Sequence, residues 1–130
     1  MSDKNIEQFE EWQKRAEDDF GSATMLLSNE GFPAVACFHA QQTVEKYLKG
    51  YLAYHNREPR KTHQLDVLVE ECAKIDADFN DYVEEAVSLN DYYIEARYPT
   101  DFREDISFAE AKEALRMAER VREFVKSKIQ

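Results

Sequence analysis

Four side chains able to do acid–base or electrostatic work follow one another along a single stripe. His39, Gln42, Lys46 and Lys49 are separated by three, four and three residues, so on a helix they stack along one face. An imidazole can carry or move a proton near neutral pH, an amide can read a donor–acceptor edge, and two ammonium groups can meet a phosphate. The same stripe has an ordinary reading. Glu45 and Lys49 stand four apart as an ion pair, Lys46 can point to water, and His39 can be a satisfied, partly buried ring. Further on, Asn90 and Arg97 share steps of four, three and four with Ala86 and Tyr93, which would line an amide and a guanidinium along one helical seam. Arg97 could equally pair across the fold with an acid such as Glu45. Between Lys46 and His63 five bases, Lys46, Lys49, Arg57, Arg60 and Lys61, oppose the single acid Glu58, a local charge of +4.

Other chemistries find less footing. Cys37 and His39 are two apart and so point about 200° away from each other on a helix. His55 and His63 have no Cys, His or paired-acid neighbours at ligand spacing, so neither a metal nor any other cofactor is expected. No Gly-rich elbow surrounds a serine, and Gly21, Gly31 and Gly50, the only glycines, cannot form a phosphate loop. Cys37 and Cys72 each sit inside an apolar pattern and read as buried free thiols of a reducing compartment.

These side chains need rigid elements to position them, and the chain supplies helices. Three glycines and three prolines in 130 residues leave too little punctuation for a sheet protein. Phe9, Trp12, Ala16, Phe20, Ala23, Leu26 and Leu27 predict a helix from about Asn5 to Ser28. Gly31 is the expected left-handed residue after it, and Pro33 opens a second helix that runs to about His55. That helix carries the stripe beside a broad apolar sector that includes Ala36, Cys37, Ala40, Val44, Leu48, Tyr51 and Leu52. After a loop around Pro59, Thr62 is the expected cap of a short helix ending at Lys74. Asp76 or Asp78 would cap a fourth helix, from about Phe79 to Arg97, which Pro99 ends. Ser107 and Glu110 form a capping box for the last, which ends near Lys128. The expected architecture is an all-α, up-and-down bundle of four long helices plus one short helix, forming one domain over residues 1–130.

Net charge restricts the partners. Seventeen basic against 27 acidic residues give −10, which repels polyphosphate at long range and excludes a general nucleic-acid coat protein. Any contact with nucleotide or RNA must be local. The polar N-terminus and the absence of a long apolar run lead to the expectation of a soluble, cytoplasmic protein with no membrane partner.

The runs AVACFHAQQTVEKYLKGYL, THQLDVLVEEC and NDYYIEARYP, ahead of a final amphipathic helix, resemble the HEPN family of small helical proteins over nearly the whole chain. The resemblance implies a bundle that commonly dimerises and a role beside nucleotides or RNA. It also implies a separate minimal nucleotidyltransferase as partner, in a pair resembling a toxin–antitoxin module. Other members are metal-independent ribonucleases with an Arg followed a few residues later by a His near the fourth helix. A histidine there would move a proton of RNA while the arginine stabilises the developing charge. This chain departs from that pattern: no histidine occurs beyond His63. Arg57 and His63 satisfy the literal spacing, but in a loop around Pro59.

The expected function is therefore a non-catalytic, homodimeric module that binds nucleotide or RNA and partners the transferase. Its binding residues would be His39, Gln42, Lys46, Lys49, His63, Asn90, Arg97 and Tyr98. Two alternatives stay open: a dimeric ribonuclease using His63, and a structural dimerisation module whose stripe is intramolecular.

Overall fold

Ser2 starts the first helix. Its hydroxyl accepts from the backbone N–H of Asn5 at 3.2 Å, satisfying one of the free donors of the first turn. In the computed structural model, which describes residues 2–93 and 105–129, α1 then spans Asp3–Ser28 and buries Phe9, Ala16, Ala23 and Leu27 along one face. It ends with Gly31 N–H on Leu26 O and Glu30 N–H on Leu27 O, the paired bonds of a Schellman motif. Its left-handed position is taken by Glu30, at φ 54°, and not by the expected Gly31; Phe32 is also left-handed, at φ 47°. Counting back from the 6→1 bond puts Glu30 in the slot where glycine is usually found.

Helix α2, Pro33–Tyr54, is the centre of the fold and packs against α1 and against three later helices. Ala36, Ala40, Val44, Leu48 and Leu52 are at most 2% exposed, as the wide apolar sector requires. Near its end a Cβ on Gly50 would stand 3.0 Å from Trp12 Cβ and 3.2 Å from Phe9 Cδ1. The missing side chain lets α1 and α2 approach closely there.

Helix α3, Leu65–Ala73, is short as expected but is capped differently. Thr62 Oγ1 accepts from Gln64 N–H in a local turn, while the first N–H of the helix, on Leu65, is taken by Asn90 Oδ1 at 2.7 Å. Asp76 caps a six-residue 3-10 helix, Ala77–Tyr82, through Asp78 N–H. Then α4 covers Val83–Asn90 alone. The expected helix through Arg97 is interrupted here: Tyr92 and Tyr93 bond back three residues, to Leu89 and Asn90. The cause is anchoring in three directions, with Asn90 on α3, the Tyr92 hydroxyl on Glu110 and the Tyr93 ring on His63.

Ser107 caps α5, Phe108–Ser127, by accepting from Glu110 N–H at 3.0 Å. The helix presents Ala111, Ala114, Ala118, Val121 and Val125 to the core. Across the bundle Arg122 makes a two-pronged bond to Glu17, at 2.6 and 2.8 Å, and the Tyr47 hydroxyl donates to the same carboxylate. Arg122 holds the Glu17 carboxyl down at about 2, while burial followed by Glu17 pushes Tyr47 up to about 12. This clamp fixes α1, α2 and α5 in register. The fold is all-α: among the described residues there are three long helices, two short ones and the 3-10 turn, with no strand.

Candidate functional site

The stripe on α2 divides between two buried carboxylates. On the α1 side, Asp19, only 8% exposed, accepts from Lys46 Nζ through one oxygen and meets His39 Nδ1 at 2.8 Å through the other. The upper half of the stripe is thereby tied to the neighbouring helix.

The lower half gathers on Glu45. Its carboxylate, 4% exposed, accepts from Lys49 Nζ at 3.0 Å and lies 2.9 Å from His63 Nδ1. Gln42 Nε2 donates to Gln41 Oε1 at 2.8 Å and to Glu45 at 3.3 Å. The fully buried Gln41 in turn donates to the backbone carbonyl of His63 at 3.0 Å. Two α2 side chains therefore hold the loop residue His63, one by its ring and one by its backbone. Tyr93 covers the ring, stacked at a centroid distance of 4.0 Å and 11° between planes.

The electrostatics follow from burial. A carboxylate and an ammonium both withdrawn from water are tolerable only together, and each needs its remaining hydrogen bonds filled. Lys49 neutralises Glu45, and His63 with Gln42 fills the other oxygen. Because Glu45 accepts from Nδ1–H, the proton sits on that nitrogen and Nε2 is the nitrogen left to face outward. The His63 side chain is 49% exposed. What results is a half-exposed imidazole held in one orientation from beneath, able to accept a hydrogen bond or a proton, or to pair with a phosphate once protonated.

Asn90 acts at one remove. Besides capping Leu65 it donates to Asp66 Oδ1 at 2.7 Å, fixing the start of α3 two residues beyond His63. The helical seam expected to join it to Arg97 ends at Asn90, and Arg97 and Tyr98 lie outside the described residues. The structure thus brings Gln42, Lys49 and His63 together, with Asn90 bracing the helix that follows the anchored loop, and places His39 and Lys46 on Asp19. Sequence reasoning missed Asp19 and Gln41 as members, named Tyr93 only as a neighbour of Asn90 on the expected seam, and had Glu45 only as an ion-pair partner. In the basic loop Arg60 reaches Glu71 at 3.7 Å.

A thiol nucleophile is chemically disfavoured. Both cysteines are buried, and burial pushes the Cys72 thiol well above its ordinary range, so it stays protonated. Among the described residues no helix is long and apolar enough to cross a membrane.

A helical bundle whose central helix pins a loop histidine through a buried Glu–Lys pair defines a small all-α module. The chain belongs to the HEPN family: the HEPN domain model matches residues 9–128. Two solved structures are similar. One is TT1696 from Thermus thermophilus, 30% identical, with a TM-score of 0.81 over 94% of this chain and 98% of that one. The other is ST0689, an archaeal HEPN homologue, 29% identical, with a TM-score of 0.75 over the same shares. No curated protein matches.

Proposed function

We propose that this chain is a nucleotide- or RNA-binding HEPN module, acting as a homodimer beside a separate minimal nucleotidyltransferase in a toxin–antitoxin-like pair, and that it is not itself a catalyst. The observation that carries the binding half is His63. It is half-exposed, yet it is held at both ring and backbone by buried groups of α2 and covered by Tyr93. A solvated turn has no use for such anchoring, whereas a binding group gains affinity when its orientation is fixed beforehand. Among the described residues Lys46, Lys49 and Arg60 are taken by Asp19, Glu45 and Glu71, which leaves Arg57 and Lys61 of the loop as the cations open to an anion on that side.

Equilibrium dialysis of the purified protein against mononucleotides and a short RNA tests the reading. Saturable binding is expected, weakened by His63→Ala, with the fold checked by circular dichroism. Co-expression with a minimal nucleotidyltransferase should yield a complex whose mass contains two copies of this chain. If neither ligand nor transferase is retained, the proposal fails.

One observation favours a second reading. The Glu45–His63 pair resembles the carboxylate-oriented imidazole of general-base catalysis, so a ribonuclease would show RNA cleavage in EDTA that disappears in His63→Ala. Cleavage that survives this change belongs to a contaminant.

A further inference from the structure

We infer that the hollow beneath the loop at Arg57–Pro59 takes a planar heteroaromatic ring carrying an anionic tail. This is the base-binding half of a nucleotide site, and it rests on the nucleotide reading proposed above. The hollow is an open groove of about 450 Å³ between Gln8 and Trp12 of α1, Ala53 of α2, and Asn56, Arg57 and Pro59 of the loop. That volume is in the range of small-molecule sites. Its polar groups differ from those of the stripe. Among the described residues the Trp12 indole N–H, the Gln8 and Asn56 amides and the Arg57 guanidinium have no hydrogen-bond or ion-pair partner, whereas His39, Gln42, Lys46 and Lys49 are all engaged.

The chemistry follows from those groups. An indole wall stacks a flat ring of any sequence, and two amides can meet donors and acceptors along the ring's edge. Glu11 and Glu58, which also line the hollow, accept from an exocyclic amino group and repel a bare phosphate. The anionic part must therefore lie toward Arg57, the one cation among the described residues lining the hollow; Lys49, 6.0 Å from the Trp12 ring centroid, is buried and held by Glu45. The tryptophan is anchored at its root, because its Cβ lies 3.0 Å from where a side chain on Gly50 would begin.

Helix register joins this hollow to the His63 site. Glu45, Lys49 and Ala53 repeat every four residues on α2, about 6 Å of axial rise per step. The ring pocket thus begins one step past Lys49 and two past the carboxylate that holds His63.

Trp12 is the only tryptophan, so intrinsic indole emission reports on this hollow alone. Mononucleotides with each of the four common bases, ribose 5-phosphate, inorganic phosphate and a short single-stranded oligoribonucleotide are titrated against the intact protein, with equilibrium dialysis in parallel. A saturable emission change is expected with at least one mononucleotide and none with the two ring-free phosphates. Arg57→Gln should weaken that transition about tenfold or more without moving the urea midpoint. A lower midpoint for the oligoribonucleotide than for the mononucleotide identifies RNA as the source of the ring, and the reverse order identifies free nucleotide. Ligand retained in dialysis and lost in His63→Ala, with emission unmoved, overturns the ring pocket and leaves the proposed function standing. Emission that follows inorganic phosphate as strongly as nucleotide overturns it too. Absence of binding in dialysis removes the ligand-binding half of the proposed function and this inference with it.

Discussion

Replacing Glu45 by glutamine removes the charge on which the candidate site is built. Lys49 is then left with its ammonium buried, its side chain only 10% exposed, and with a neutral amide as its nearest partner. Breaking a buried ion pair from one side costs about 3–5 kcal/mol, most of it the unpaired charge left behind. The glutamine carbonyl can still accept from either Lys49 or His63, though not from both, which puts the expected loss near the lower end, at about 3 kcal/mol. Lys49→Met alone should cost less, about 2 kcal/mol, because His63 remains as a partner for Glu45. The double variant takes both charges away and fills the space with an apolar chain of similar length. It should return to within about 1 kcal/mol of the parent, giving a coupling energy of about 4 kcal/mol between the two positions. Urea unfolding followed by circular dichroism, with unchanged slopes, measures all four corners of the cycle. Additive costs, or a Glu45→Gln variant as stable as the parent, would refute the buried pair as the support of the site.

Glu30→Gly should stabilise the protein by about 1 kcal/mol, since a left-handed φ of 54° strains any residue with a Cβ, and urea midpoints will show it. Gly50→Ala should destabilise despite alanine's better helix propensity. The new methyl would press on Trp12 Cβ at 3.0 Å, close to the backbone and with little room to yield, for a net loss of about 1 kcal/mol by the same assay. The Glu17 carboxyl is lowered from 4.5 to about 2 by Arg122, so its contribution is complete above about pH 4.5 and is lost as pH falls toward 2. Glu17 is 38% exposed, which discounts the effect to about 1 kcal/mol; Glu17→Gln should flatten acid unfolding by that amount between those pH values.

Long helices were legible because their evidence is local. The pattern of Phe9, Ala16, Ala23 and Leu27, the Pro33 start and the Ser107 cap each act within one or two turns, and the structure shows all of them. The start of α3 was not legible: its first N–H is satisfied by Asn90, 25 residues away, and Thr62 looked like a cap only because the distant partner was hidden. The fourth helix was overextended for the same reason, since periodicity runs through residues 90–93 while tertiary anchors pull them apart. At the site, spacing correctly put four side chains on one face. It could not show that α1 offers Asp19 to two of them, or that a residue beyond a loop, His63, completes the group around Glu45.

The Glu17–Tyr47–Arg122 clamp has a consequence for synthesis. An α1–α2 hairpin can form early, but until residue 122 has left the ribosome a carboxylate and a phenol on its inner side await their cation. The nascent hairpin should therefore remain loosely paired and locally openable, tightening only when the last turns of α5 arrive. A ribosome-stalled chain ending before Arg122 should be cut readily by protease within α1, and one stalled far enough beyond Lys128 to expose all of α5 should resist.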